Sequence, residues 1–547
     1  MSSRARQLAA GAIVLALGCA PDGNAGSPSG SGGAGGSLVA VGVKVIVGPT
    51  LGAPPGTQVS GSAGAGGSGG SGTGGGSGAA SGAGSGGSGG TTCTPPPTTD
   101  PSTVCGDGLR DTVTEECDDG NTDDTDGCAS CIVVDRLAVA PVPPSSPSAP
   151  PLGRRLGNGR HPVASSNTGA VVAFVDETTF DVGVSIFSPY GVRTSTVPSV
   201  SKGLQASNPV VGALDNCGGY VLSWTDFDGD GDELGIAVAK LDASGTIVGK
   251  VHHANTTTAF SQHDSDLLVT SNGIVVSWVD DSDPVTAPDL RYTILGSSLS
   301  PAGESTLAAT DDVEGNVSLA AFGSSWAAAW RTGQGYTESI MVRSMGTPGV
   351  SWVVSGVTAP FAEETPALVE LDSTHLFLVY NEGVDGAGIG ITNDTIVRGR
   401  VLDVGAPGTD TGTPCDPVTS SFTVDHPSLV RVGSRSYLAW RWTIPSGTTF
   451  NAYGMPEEGE DVLIAELTWQ AGDECPTLGT PMPLPRTAAH DASEQRHPAI
   501  AASPLGPEGA IFAAWDDLGT SYPGKGSADV VVDLIPSPIV RLPGVEL

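Results

Sequence analysis

Short apolar runs separated by turn residues dominate the chain from residue 153 onward. The stretch 208–245 shows the repeating unit, with apolar runs over 209–214, 220–224 and 236–241 and an acidic loop before the third run. Runs of this length that are rich in β-branched and aromatic residues and bounded by Gly, Pro, Asn or Asp are typical of β-strands in hairpins. Each unit therefore predicts three readable antiparallel strands, with a weaker fourth strand at the outside.

The unit occurs seven times between residues 160 and 540. The first strands of these copies begin at His161, Asn208, Ser265, Asn316, Thr365, His426 and His497. The second strands end at Val175, Trp224, Trp278, Trp330, Tyr380, Trp440 and Trp515. A period of about 50 residues with several strands per copy is the signature of a β-propeller, and near-equal copies without separate caps favour a closed ring over a solenoid. We therefore expect an all-β, seven-bladed β-propeller over 153–547, with the tryptophans packed between blades.

The first 19 residues have the features of a secretory signal. Two arginines near the start precede an apolar segment over 8–18 that is too short to span a bilayer. The segment ends in Leu-Gly-Cys19, which resembles the bacterial lipobox, although that pattern prefers Leu, Val or Ile where this chain has Ala16. The resemblance implies cleavage before Cys19, lipid attachment to its thiol, and an outer-membrane lipoprotein facing the periplasm or the cell exterior. The alternative is an ordinary signal peptide cut near Ala20.

Two segments of biased composition separate the signal from the propeller. Residues 20–92 are mostly Gly, Ser and Ala, which bury too little apolar surface to fold, so this segment is predicted to be a disordered tether. As a flexible coil it would have a root-mean-square span of roughly 50 Å. The apolar run over 38–47 interrupts it and is too short to cross a bilayer. A Pro-rich linker over 139–152 then follows a cysteine-rich module over 93–138.

Four cysteines of this module stand in a distinctive pattern. Cys105-Gly-Asp-Gly is followed by Glu-Cys117-Asp-Asp-Gly-Asn and by Asp-Gly-Cys128-x-x-Cys131. The pattern resembles the cysteine-rich disulfide repeat of predicted myxobacterial surface proteins. The resemblance implies two disulfides among the four cysteines, and three connectivities stay open. Zinc is disfavoured because neither a second Cys-x-x-Cys nor a His pair accompanies the motif.

Three cysteines lie in the propeller. Cys415 and Cys475 each follow the third strand of adjacent copies, so a disulfide between neighbouring blades is predicted. Cys217 is in a first hairpin turn, and two alternatives stay open: a free thiol, or a bond to Cys93 of the small module. Cysteine usage of this kind favours an oxidising compartment.

Charge limits the kinds of partner. The 547 residues carry a net charge of -35, which disfavours nucleic acid and anionic membrane surfaces and favours cations or basic partners; the alternative is simply a soluble surface. In a four-stranded antiparallel blade, the first strand begins and the second strand ends at the same edge. The loops after the seven second strands therefore share one face, and they hold many carboxylates against only three basic residues, Arg331, Arg441 and Lys525.

The loop after the second strand of the second copy predicts a calcium site. Its carboxylates, Asp226, Asp228, Asp230 and Asp232, alternate along the chain as in the first half of a calcium loop. The twelfth position is Ala237 instead of the bidentate Glu of an EF-hand. The alternative is a metal-free, solvated turn.

The repeat pattern of 153–547 loosely resembles sialidase-like seven-bladed propellers of bacterial surface proteins. The resemblance lies in the strand pattern, because the Asp-box sequence Ser-x-Asp-x-Gly-x-x-Trp of that family is not present in that form. A sialidase would also need an arginine cluster, for which Arg331 and Arg441 are candidates, and a Tyr nucleophile, with Tyr336 a distant candidate. This region carries no Gly-x-Ser-x-Gly, phosphate-loop or His-Glu-x-x-His motif.

Histidine precedes proline at the start of the first strand in three copies. His161, His426 and His497 therefore converge on the acidic face, where they either contact a ligand or hydrogen-bond neighbouring blades. We expect a secreted, lipid-anchored cell-surface binding or adhesion protein whose ligand is a cell-surface protein, a carbohydrate or a cation. The alternatives are a carbohydrate-active, sialidase-like hydrolase on the same propeller and a structural envelope protein, and fold alone does not separate them.

Overall fold

The computed structural model describes three short strands between residues 128 and 137 and most of residues 154–539. The gaps in the second part are 158–159, 203–204, 215–218, 228, 283–287, 302, 334–338, 347–349, 355–365, 384–394, 406–413, 419–422, 445–458, 485–494, 504–508 and 518–528. The signal segment, the tether, the linker and several predicted site residues lie outside the described residues, namely Cys19, Cys93, Cys105, Cys117, Cys131, Cys217 and Asp228.

All of the regular secondary structure among the described residues is β-strand. Before the propeller repeats, the strands are β1 (Cys128–Ala129), β2 (Ile132–Val133) and β3 (Asp135–Leu137). In blade 1 they are β4 (Arg154–Arg155), β5 (Val163–Ser166), β6 (Gly169–Asp176), β7 (Asp181–Phe187) and β8 (Arg193–Val197). In blade 2 they are β9 (Ser207–Ala213), β10 (Tyr220–Phe227), β11 (Leu234–Leu241) and β12 (Ile247–His253). In blade 3 they are β13 (Gln262–Thr270), β14 (Gly273–Asp280), β15 (Asp289–Leu295) and β16 (Ser305–Ala308).

The remaining blades follow in the same order along the chain. Blade 4 contains β17 (Glu314–Phe322), β18 (Ser325–Thr332), β19 (Ser339–Ser344) and β20 (Val350–Val354). Blade 5 contains β21 (Ala367–Glu370), β22 (His375–Gly383) and β23 (Thr395–Asp403). Blade 6 contains β24 (Thr423–Val432), β25 (Arg435–Ile444), β26 (Gly459–Thr468), β27 (Thr477–Leu478) and β28 (Met482–Leu484). Blade 7 contains β29 (Gln495–Ser503), β30 (Ala510–Asp517) and β31 (Asp529–Pro536). Across the described part of the chain, no helix is both long enough and apolar enough to span a bilayer.

Each blade is an antiparallel meander, and the seven-bladed propeller predicted from the repeat is confirmed. Blade 2, for example, has the order β9-β10-β11-β12, with Tyr220 opposite both Ala213 and Leu241. The second strands end within a few residues of the positions predicted from the sequence. The prediction succeeds because alternating apolar runs of this length have few other ways to bury both faces.

Blade 7 receives its outermost strand from the other end of the chain. Its order is β29-β30-β31-β3, with Asp135 opposite Val532 and Leu137 opposite Val530. The sequence analysis had assigned these three residues to the cysteine-rich module over 93–138. A strand of three residues is too short to show an alternation of apolar and polar positions. Only the pairing of β3 with β31 shows that β3 belongs to the propeller.

Seven hydrophobic clusters lie between successive blades and account for the ring. Trp224 packs between blades 1 and 2, and Trp278 packs between blades 2 and 3. Trp515 occupies the same place between blades 6 and 7, and the seventh cluster joins Phe512 of blade 7 to Phe174 of blade 1. These residues are fully buried, as predicted for the repeated tryptophans. Truncating one of them to alanine would cost about 3–5 kcal/mol of folding free energy.

The predicted disulfide between blades is present. Cys415 and Cys475 are bonded, with their Cα atoms 5.9 Å apart. Cys415 pairs with Gly399 of β23, and Cys475 lies between β26 and β27. The bond therefore joins blade 5 to blade 6.

Candidate functional site

A pocket opens at the axis of the propeller where the first strands begin. It has a volume of about 220 Å³ and is lined by residues of six blades. The polar side chains of the lining are Arg160, His161, Asp264, Ser265, Asn316, Ser318, His426, Ser428 and His497. The structure thus brings together the three histidines that the sequence analysis placed on one face.

A repeated backbone feature positions these polar side chains. The inner strands β13, β17, β24 and β29 each contain a bulge, at Asp264, Asn316, His426 and His497 respectively. At these four positions, φ lies between 50° and 53°, and Asn208 in blade 2 has a φ of 49°. Asn, Asp and His enter this left-handed region more readily than most residues, and a bulge re-aims a side chain. The repeat therefore selects short polar or imidazole side chains around the axis.

His161 is held by a carboxylate from blade 3. Its Nδ1 lies 2.7 Å from Oδ1 of Asp266, which is fully buried, and Oδ2 of Asp266 accepts a hydrogen bond of 2.7 Å from the backbone N–H of Leu319. Burial lowers the pKa of His161, but the charge and hydrogen bond of Asp266 outweigh it and raise the pKa above the ordinary value. One carboxylate thus links blades 1, 3 and 4 and fixes the imidazole.

His497 is oriented in the same way by a buried aspartate. Its Nδ1 lies 2.8 Å from Oδ2 of Asp516, and Oδ1 of Asp516 accepts a hydrogen bond of 2.7 Å from the backbone N–H of Leu156. The ring of His426 packs edge-on against that of His497, with centroids 4.7 Å apart. The two imidazoles therefore form a pair in the wall of the pocket.

Asp425 and Arg441 fix His426. Nδ1 of His426 lies 3.0 Å from Oδ1 of Asp425, and Arg441 forms a two-pronged ion pair with Asp425, with Nε 2.5 Å from Oδ1. Burial would raise the pKa of Asp425, but hydrogen bonds from His426 and Arg441 outweigh it and hold the pKa at about 2. Burial lowers the pKa of His426 below its ordinary value, so this imidazole is neutral at neutral pH.

Asp264 lines the axial pocket, whereas Arg331 and Arg441 do not belong to its described lining. Arg441 is committed to Asp425, and Arg331 is the last residue but one of β18; the described lining of the axial pocket includes neither. Asp264 does line it, and accepts hydrogen bonds from Asn208 and His263. Burial would raise the pKa of Asp264, but its bonds to His263 and Asn208 and the charge of Arg160 lower it, so Asp264 is ionised.

The described carboxylates of the predicted calcium loop point to different partners. Asp226 is buried, with Oδ2 3.6 Å from Nε2 of His253. Oδ2 of Asp230 accepts a hydrogen bond of 2.5 Å from Asn255, and Oδ2 of Asp232 accepts one from the backbone N–H of Phe260. Among the described residues, no group of three or more metal-binding side chains converges. With Asp228 outside those residues, calcium binding stays a prediction.

The aspartates that orient the histidines, Asp266, Asp425 and Asp516, were not predicted from the sequence. Asp425 directly precedes His426, and Asp516 directly follows the repeated Trp515. Both carboxylates could therefore have been predicted from their positions beside repeated residues. Asp266 lies 105 residues from His161, and no local pattern connects them. Only the closed ring brings that pair together.

The chemistry of the pocket suits recognition of a polar molecule. In its described lining, Asp264 is the one carboxylate and Arg160 the one arginine. Most glycosidases use a pair of carboxyl groups that flank the scissile bond. An imidazole whose Nδ1–H donates to a carboxylate presents Nε2 as an acceptor when it is neutral. The wall therefore offers a fixed acceptor at neutral His426, two further imidazoles fixed through Nδ1 at His161 and His497, and a donor at Arg160.

No known protein family matches the sequence, and no curated protein matches it. Several solved structures have a low overall similarity to it. A subtype N11 neuraminidase-like protein of A/flat-faced bat/Peru has a TM-score of 0.37 and 11% identity, over 76% of this chain and 97% of that one. The polysaccharide lyase Uly1 has a TM-score of 0.40 and 9% identity, over 69% and 90%.

A thermostable family-43 glycoside hydrolase has a TM-score of 0.29 and 13% identity, over 62% of this chain and 95% of that one. The all-β, seven-bladed propeller is established by the strands and sheets of this chain itself. The resemblance of 105–131 to a myxobacterial cysteine-rich repeat stays a prediction.

Proposed function

We propose that this protein is a surface-displayed binding protein whose axial pocket takes a small ligand rich in hydroxyl groups, such as the terminal sugar of a cell-surface glycan. The observation that carries the proposal is the set of three imidazoles in the pocket wall, each fixed through Nδ1 by an aspartate from the propeller core. A fixed acceptor costs little conformational entropy when a ligand hydroxyl binds to it. A volume of about 220 Å³ suits a single sugar ring better than a polymer.

Binding is favoured over hydrolysis by the composition of the described lining. One carboxylate, Asp264, cannot act as both the acid and the base or nucleophile of a glycosidase. The net charge of -35 also disfavours the anionic substrate of a sialidase, since like charges repel. The hydrolase alternative therefore requires groups that the described lining does not supply.

The proposal includes the display of the propeller at the cell surface. Secretion through residues 1–19, acylation of Cys19 and the Gly/Ser-rich tether over 20–92 would hold the binding face away from the outer membrane. These elements make the protein a tethered adhesin or receptor with a single binding head.

The test is binding of a panel of neutral and acidic monosaccharides to the purified protein, followed by saturation-transfer NMR and calorimetry. The double variant His426→Ala/His497→Ala removes two acceptors and should weaken binding roughly tenfold or more. His375→Ala is the matched control, because His375 is also paired through Nδ1 with an aspartate, Asp372, but begins the second strand of blade 5 at the opposite edge. Equal binding by both variants, or release of products from glycosides by the wild type, would reject the proposal.

A further inference from the structure

Three phenylalanines stand out on one sector of the face that carries the axial pocket. Phe180, Phe227 and Phe260 are 57%, 51% and 43% exposed, whereas Phe174, Phe187, Phe377 and Phe512 are fully buried. Phe180 lies in the β6–β7 hairpin, Phe227 ends β10, and Phe260 lies between β12 and β13. These positions belong to the same edge of blades 1, 2 and 3. We define this set as the phenylalanine platform.

Backbone contacts place the segments that carry these phenylalanines beside one hairpin. The carbonyl of Phe180 accepts a hydrogen bond of 2.7 Å from the N–H of Ala206, and the next residue, Ser207, is paired with Thr225, two residues before Phe227. On the other side of the hairpin that follows Phe227, Asp232 accepts a hydrogen bond from the N–H of Phe260. Phe227 therefore lies in the β10–β11 hairpin, and the segments of Phe180 and Phe260 lie on either side of it.

Carboxylates of that hairpin are held in place among the rings. Asp230 is hydrogen-bonded by Asn255, Asp232 by the backbone of Phe260, and Glu233 by the hydroxyl of Ser261 at 2.8 Å. Each of these partners is neutral, so it fixes the position of a carboxylate without cancelling its charge. An exposed phenylalanine ring has a negative face that attracts cations, and the surrounding carboxylates add to that attraction.

We propose that the phenylalanine platform binds a cationic polypeptide segment, with arginine or lysine side chains stacked on the three rings and paired with the hairpin carboxylates. The negative charge of the protein favours a cationic occupant over the alternatives. A second copy of a chain with a net charge of -35 would be repelled, and an anionic membrane surface would be repelled in the same way. The tether over 20–92 holds a single lysine, Lys44, and no arginine, so it does not supply such a segment. The site is separate from the axial pocket and does not depend on what that pocket binds.

Backbone geometry supports a role for the aromatic rings themselves. Phe180 and Phe260 adopt φ values of 56° and 62°, in the left-handed region that bulky residues rarely enter. Gly or Asn would fit these positions with less strain. Two such positions carry exposed phenylalanine instead, as expected where the rings contact a partner.

The experiment measures binding of fluorescein-labelled octaarginine to the full-length protein at 0.15 M salt, by anisotropy. The triple variant Phe180→Leu/Phe227→Leu/Phe260→Leu keeps an apolar side chain and a similar backbone cost but removes the π faces. Each exposed cation–π contact is worth about two- to fivefold in affinity, so the triple variant should bind octaarginine about tenfold or more weakly. Val353→Ala is the control for an exposed apolar residue in another blade, 53% exposed, and should bind as the wild type does.

Three results would overturn the proposal. Unchanged octaarginine binding by the triple variant would mean that net charge alone attracts the peptide. Equal loss in Val353→Ala would mean that the effect is not local to the platform. Loss of binding to a neutral hexasaccharide, with octaarginine binding retained, would assign the rings to carbohydrate. Melting temperatures of the variants within a few degrees of the wild type establish that the propeller is intact in each case.

Discussion

The ion pair that fixes His426 makes stability depend on pH in a narrow range. Arg441 and His426 hold the pKa of Asp425 at about 2, against an ordinary value of 3.8. A folded-state pKa below the unfolded value gives stability that is fully present above pH 4 and is lost as the pH falls through about 2. At about 1.4 kcal/mol for each pKa unit, the contribution of Asp425 is about 2 kcal/mol.

The perturbation is Asp425→Asn, which keeps the size of the side chain and a hydrogen-bond acceptor for Arg441 but removes the titrating group. Urea unfolding of both proteins between pH 6 and pH 2 gives the difference in the free energy of unfolding. We expect the variant to be less stable by a constant amount down to pH 4, and the difference to shrink by about 2 kcal/mol towards pH 2. Asp311→Asn, at an exposed aspartate, serves as the control for the loss of one negative charge.

If the difference in the free energy of unfolding between the wild type and Asp425→Asn stayed constant from pH 6 to pH 2, this reasoning would be refuted. It would mean that Arg441 and His426 do not hold Asp425 ionised in the folded state. The orientation of His426, and with it one wall of the pocket, would then lack its stated cause.

Three further predictions concern other parts of the chain. The N–H groups of neighbouring strand residues point to opposite sides, so Asp135→Pro/Arg136→Pro should remove one donor to β31. The free energy of unfolding should fall by about 1–3 kcal/mol more than in the control Asp135→Ala/Arg136→Ala in urea titrations, and equal effects would contradict closure by the β3 backbone. Millimolar calcium should raise the melting temperature reversibly, and Asp228→Asn/Asp230→Asn should abolish the rise; an identical response in that variant would place any bound calcium elsewhere. Cys19→Ser should move the protein from the membrane fraction to the soluble fraction in immunoblots of fractionated cells, and a wild-type protein that is already soluble would contradict lipid anchoring.

The sequence was informative where its pattern is local. Six of the seven blades carry a tryptophan or tyrosine near the end of the second strand. The repeat of short strands predicted the seven blades, the buried tryptophans and the Cys415–Cys475 bond. The convergence of His161, His426 and His497 also followed from the repeat, because equivalent positions in a ring face one axis.

Features that depend on contacts between residues far apart in the chain could not be predicted from the sequence. Asp266 reaches His161 across 105 residues, and β3 reaches β31 across nearly the whole propeller. The grouping of Phe180, Phe227 and Phe260 is equally hidden, because they lie in three separate segments of the chain. Such contacts are set by ring closure rather than by any local pattern.

The most direct test of the proposed function is a crystal structure of the protein with the tightest-binding sugar from the monosaccharide panel. The account predicts electron density for one sugar ring in the axial pocket, with a hydroxyl within hydrogen-bond distance of Nε2 of His426 or His497. A sugar bound only at the surface loops, with the axial pocket filled by water, would contradict it.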